Sequence, residues 1–130
     1  MNLIKISSTS DRYRQDITIR DKFQLAADEP QDLGGDDTGA TPTELVLAGL
    51  GSCKAITIQM YAERKGWDLK SVDVDVAHHQ VNREDRISVR LYLAGNLTDE
   101  KKQRLLEIAD KCPVHKLLQS EAHIETVLVD

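Results

Sequence analysis

The stretch at residues 45–62 constrains this sequence more than any other. It reads LVLAGLGSCKAITIQMYA, with Ser52, Lys54, Thr57 and Gln59 as its only clearly polar interruptions. Its length is about that of a bilayer span, but those four residues point instead to a buried helix of a soluble fold. The helix start is well marked. Thr41 suits the N-cap, Pro42 the first helical position, and Glu44 completes a capping box. Gly66 stands just past the expected end. A helix from Pro42 to about Lys65, at about 1.5 Å per residue, is roughly 36 Å long. Its middle is apolar nearly all round, so it must be covered on most sides. A chain of 130 residues has little material to wrap such a rod. Packing two copies together solves the burial problem, and an obligate homodimer is expected.

The remaining elements fall around this helix. Leu3-Ile4-Lys5-Ile6, Ile17-Thr18-Ile19 and Phe23-Gln24-Leu25 read as short strands, with Arg20-Asp21-Lys22 as a turn. Residues 28–40, with Pro30, Gly34, Gly35 and Gly39, form the longest loop. Val72, Val74 and Val76 alternate with aspartates, and Ile87, Val89, Leu91 and Leu93 alternate with polar residues. Both runs read as strands buried on one face, with a turn at residues 82–85. Thr98 caps a second helix, with Leu105, Leu106, Ile108 and Ala109 inward and Lys101, Lys102 and Arg104 toward water; Pro113 ends it. A short turn at residues 114–119 leads to a last strand at 124–129. The order is βββ-α-ββ-α-β. One α+β domain over residues 1–130 is expected, an antiparallel sheet packed on a long central helix.

Composition removes several function classes. Hydrophobic residues make up 40 %, enough for an ordinary core. The net charge of −5 is interspersed rather than blocked, which argues against nucleic-acid binding. The first residues lack the apolar run of a signal peptide, and no membrane span is expected, so the location expected is cytoplasmic. His78 and His79 point to opposite faces of a strand and have no partners at metal-site spacing, so no metal is expected. Leu33-Gly34-Gly35-Asp36 does not fit a nucleotide-binding glycine motif, and no cofactor is implied.

Chemistry is left to the two cysteines, Cys53 and Cys112. Without an export signal they are not a disulfide framework; they are inert core residues or reactive thiols. Cys53 sits mid-helix on one stripe with Gly49, Ile56 and Met60. A sheltered thiol needs a cation to act as a nucleophile. Lys54 is not assigned that role, because adjacent helix residues point about 100° apart. Gly49 and Gly51 signal a close approach to the helix, by another helix or by a substrate. Cys112 lies 59 positions on, in Lys111-Cys112-Pro113-Val114-His115, so only the fold can bring the thiols together. If it does, they can form a disulfide after oxidation. His115 could help ionise a thiol or be purely structural.

These segments resemble the OsmC/Ohr family. The resemblance is carried by residues 28–35 (DEPQDLGG), Thr41-Pro42-Thr43-Glu44-Leu45, Gly51-Ser52-Cys53, residues 60–67 (MYAERKGW) and residues 108–115 (IADKCPVH). It covers nearly the whole chain, in order, and is nearest to the redox-protein branch. It implies an intertwined homodimer with two active sites at the interface. By the same resemblance Cys53 is the peroxidatic thiolate and Cys112 the resolving thiol. Organic hydroperoxides would be the substrates, and dithiols such as dihydrolipoyl groups the reductants.

One departure stands out. The peroxidases carry Glu directly after the Pro of the Thr-Pro segment; here that position is Thr43, and Glu44 follows about 100° further round the helix. Their activating arginine comes from the N-terminal strand region, where Arg12, Arg14 and Arg20 are candidates and Arg20 is favoured for its place at the strand turn. The expected site is therefore Cys53, Cys112, Arg20 and Glu44. Two alternatives on the same fold are a thiol redox sensor and a small-molecule-binding domain.

Overall fold

The computed structural model describes residues 3–129. They form two compact units, the first ending at Val46 and the second beginning at Leu47.

The first unit is an antiparallel meander of β1 (Ile4–Ser8), β2 (Gln15–Ile19) and β3 (Phe23–Ala27), in that spatial order. Ile17 stands opposite Ile6 on one side and Leu25 on the other, and it is the buried residue of the central strand. Arg20 and Asp21 form the β2–β3 turn, both with φ of 54°. The loop after β3 is organised by a buried carboxylate. Asp28 accepts hydrogen bonds from the amides of Glu29 (2.7 Å) and Thr38 (3.0 Å) and from the Thr38 hydroxyl (2.6 Å). The Thr38 hydroxyl above all, then its amide, holds the Asp28 carboxyl below the usual range. The expected capping box is present: Thr41 N donates to Glu44 Oε1 at 2.8 Å, and Glu44 N donates to Thr41 Oγ1 at 3.1 Å.

α1 (Pro42–Lys65), 24 residues long, starts at that cap, and Gly66, with φ of 71°, follows its end as expected. The second unit adds the antiparallel hairpin of β4 (Asp68–Val81) and β5 (Glu84–Asn96), longer at both ends than the apolar alternation predicts. Asn82 and Arg83, both at positive φ, make its tight turn. Then come α2 (Asp99–Ala109) and α3 (Pro113–Gln119). Ile58 and Ala62 of α1 pack on Leu105 and Ala109 of α2, with Trp67, Leu69, Val72, Leu91 and Leu93 around them. α1 has the length and composition of a membrane span, but Leu50, Lys54, Ile58 and Ala62 form a buried stripe along it, as in a core helix.

The close approach signalled by glycine is helix on sheet. A Cβ on Gly51 would sit 2.9 Å from Cγ2 of Val76, whereas nothing stands within 4 Å of one on Gly49. Gly51 thus admits β4 to the helix.

Four expectations need correction. Leu106 is 47 % exposed rather than inward, because α2 buries the narrow stripe of Leu105, Ile108 and Ala109. Lys101 and Arg104 do not simply face water: Lys101 lies over the Trp67 ring, and Arg104 Nε donates to the Tyr61 hydroxyl at 3.1 Å. Residues 114–119 are helical, since Pro113 takes the first position of α3 and so starts one helix after closing another. Finally, residues 124–129 do not form a strand. Ile124, Val127, Leu128 and Val129 have a strand's composition but no strand beside them, and they are 79–94 % exposed.

Candidate active site

Cys53 and Cys112 both lie in the second unit, near enough for Cys53 to act on the Cys112 thiol. Cys53 lies in α1 and is partly exposed. Ile56 and Met60, on its stripe, are 53 % and 65 % exposed, so the apolar face around this thiol is open on the single chain. Cys112 is fully buried in the corner between α2 and α3. Its sulfur is the N-cap of α3 and accepts from His115 N at 3.4 Å. Burial above all pushes the Cys112 thiol up from its ordinary value. The His115 amide opposes this, hydrogen bonding and charge interaction with Cys53 add to it, and the charge of Lys54 pulls it down.

Lys54, which lies outside the expected site, belongs to this cluster. Its side chain is 3 % exposed, and its ammonium has three acceptors: Ala109 O at 3.0 Å, Asp110 Oδ1 at 3.3 Å and His115 Nδ1 at 2.8 Å. An ammonium only donates, so Nδ1 of His115 is the acceptor in this contact. α2 has no basic residue in its last turn, and Lys54 supplies the cation there from α1. The rotation of about 100° from Cys53 is what turns Lys54 onto the buried stripe. The available signal was its spacing: a lysine four residues from both Leu50 and Ile58, in the middle of an apolar row.

A cavity of about 490 Å³ opens beside this cluster, with Leu50, Ile87, Val89 and Leu106 as apolar wall and Lys54, Asp110, His115 and Asp85 as polar edge. That volume is within the range of small-molecule pockets. Asp85 is held by Nε2 of His78 at 2.9 Å and Nε2 of Gln80 at 3.1 Å. Among the described residues no cluster of His, Cys, Asp or Glu has the form of a metal site.

The other two expected site residues lie in the first unit. Arg20 is in the β2–β3 turn, with its guanidinium 5.3 Å from the centre of the Phe23 ring. Glu44 is engaged in the capping box at the start of α1.

Comparison with known proteins agrees with this architecture. The OsmC-like protein family matches residues 34–127. An OsmC-like protein from Mycoplasma pneumoniae superposes with a TM-score of 0.77 at 18 % identity, covering 93 % of this chain and 89 % of that one. The organic hydroperoxide resistance protein OhrB of Bacillus subtilis gives 0.63 at 20 % identity, with 93 % and 92 % covered. An uncharacterised protein from Haloferax volcanii is 29 % identical over 98 residues, covering 72 % of this chain and 74 % of the relative. The structural likenesses establish the same α+β fold, and the family match spans both cysteines and most of the chain. The chain belongs to the OsmC-like protein family.

Proposed function

We propose that this chain is a cysteine-based peroxidase that reduces organic hydroperoxides with electrons from a dithiol. Its family, with solved relatives named for organic hydroperoxide resistance, supports a redox or stress-response role. The observation that carries the finer reading is the pairing of a partly exposed thiol, Cys53, with a buried one, Cys112, from distant parts of the chain.

In this reading the Cys53 thiolate attacks the terminal peroxide oxygen. An S–O bond forms, the O–O bond breaks, and the alkoxide leaves and takes a proton to become the alcohol. Cys53 is now a sulfenic acid. The Cys112 thiolate attacks that sulfur, forming the disulfide and releasing hydroxide, which is protonated to water. A dithiol then reduces the disulfide. Arg20 is the cation proposed to favour the Cys53 thiolate. The working form proposed is a cytoplasmic homodimer. The open apolar face at Ile56 and Met60 and the uncovered tail at Ile124, Val127 and Leu128 support it.

A redox-sensor reading has one observation in its favour. Cys112 Sγ caps α3, so a disulfide at that sulfur would disturb the helix start. Dithiol-driven consumption of cumene hydroperoxide separates the two. The peroxidase reading expects multiple turnovers that vanish in Cys53→Ser; a single stoichiometric oxidation without turnover would favour the sensor.

A further inference from the structure

Lys54 bonds to both flanks of Cys112. Ala109 O and Asp110 Oδ1 precede the cysteine in the chain, and His115 Nδ1 follows it, so one buried ammonium ties the two sides of the α2–α3 corner to the middle of α1. Lys54 is also next in sequence to Cys53. The helix that carries one thiol therefore carries the clamp that sets the position of the other. We infer that Lys54 is the positioning residue of the resolving step: it holds Cys112 within reach of Cys53 and supplies the positive charge under which the Cys112 sulfur reacts as a thiolate. This inference rests on the thiol chemistry proposed for the pair and adds to it a residue outside the expected site.

The electrostatic surroundings of Cys112 are few. From α1 come Cys53 and Lys54; from the corner, Asp110 and the exposed Lys111; from α3, His115. Asp85 stands at the edge of the cavity that Lys54 lines. A fully buried thiol is costly to ionise, because the thiolate loses its hydration. Two features offset that cost, the His115 amide and the Lys54 ammonium. Asp110 works against the second, since its carboxylate sits 3.3 Å from the ammonium.

The test isolates the resolving step from peroxide chemistry. In the full-length protein, dithiobis-nitrobenzoate first reacts with the accessible Cys53, releasing one nitrobenzoate thiolate and leaving a mixed disulfide. The Cys112 thiolate then attacks the Cys53 sulfur; the new S–S bond forms and a second nitrobenzoate thiolate leaves. The rate of this second release is followed against pH. In Lys54→Met the first release should keep its rate. The second should slow about tenfold at neutral pH, with its midpoint raised by about one pH unit, the factor that one unit of lost charge stabilisation represents. Lys54→Arg, which keeps the charge, should lie closer to wild type. Asp110→Asn should move the midpoint down, because the ammonium is then less neutralised. A purely structural clamp predicts no midpoint shift in Lys54→Gln, which keeps an amide donor without the charge, whereas the inference predicts the raised midpoint there too, so Lys54→Gln decides the matter even if Lys54→Met does not fold. Unchanged midpoints in the folded variants would overturn the inference. Absence of a second release in wild type would overturn it together with the disulfide chemistry. A normal second release in a protein that never consumes peroxide would overturn the peroxidase reading alone.

Discussion

The Lys54 ammonium donates to Nδ1 of His115 at 2.8 Å, joining the middle of α1 to the first turn of α3. A buried donor that loses an acceptor bears much of its desolvation cost unrelieved. His115→Ala should therefore lower stability by about 1.5–3 kcal/mol, the range for a hydrogen bond to a charged group. Urea unfolding of the variant beside wild type measures this. No change in midpoint would mean that Lys54 is held by Ala109 and Asp110 alone.

Gly51 gives a second stability test. In an open helix, alanine should improve on glycine by about 1 kcal/mol. Here a Cβ would meet Val76 Cγ2 at 2.9 Å, and the branched valine has little freedom to move aside. Overpacking of this kind costs about 1–3 kcal/mol, so Gly51→Ala should be net destabilising. Val76→Ala should relieve it, so the double variant should be more stable than the two single losses added together. Simple additivity in that cycle would show that α1 and β4 part freely at this point.

Much of this architecture is legible in the sequence because its signals are local. Thr41, Pro42 and Glu44 announce the start of α1 and Gly66 its end; the valines of β4 and the aliphatic row of β5 show their period directly. Both cysteines were legible as the candidate pair. What escaped depends on tertiary partners. Pro113 reads as a stop, and only the Cys112 sulfur on the His115 amide shows that it also begins α3. Lys54 reads as a polar break in an apolar helix until Ala109, Asp110 and His115 are seen around its ammonium. Residues 124–129 have strand composition, but a strand also needs a neighbour, which composition cannot supply.

The long loop of the first unit should respond to acid. Asp28 has its carboxyl held below the ordinary value, chiefly by the Thr38 hydroxyl. A depressed folded-state value means that the ionised form contributes stability. That contribution is complete above the unfolded value of about 3.9 and is lost as pH falls through the lower folded value. Asp28→Asn should thus be less stable than wild type at neutral pH, and the difference should shrink as the pH drops below about 4. Thermal unfolding of both proteins across that window checks the sign. A difference that stayed constant with pH would place the effect of Asp28 in packing rather than charge.

The proposed homodimer rests on exposed apolar surface. Ile56, Met60, Ile124, Val127 and Leu128 are all more than half exposed on the single chain. Sedimentation at micromolar concentration should give a dimer, and Met60→Glu should weaken it or unfold the chain. A stable, folded monomer of the wild type would contradict the dimer.

Cys53 and Cys112 are proposed to act as a pair on a hydroperoxide. The most direct test is peptide mass spectrometry after one equivalent of cumene hydroperoxide. In wild type the expected product is a cross-linked peptide joining Cys53 to Cys112 with the loss of two hydrogens. In Cys112→Ser a sulfenic acid at Cys53, trapped by a dimedone probe, is expected. In Cys53→Ser neither product should form. Unmodified thiols in the treated wild type, or equal oxidation in wild type and Cys53→Ser, would contradict that proposal.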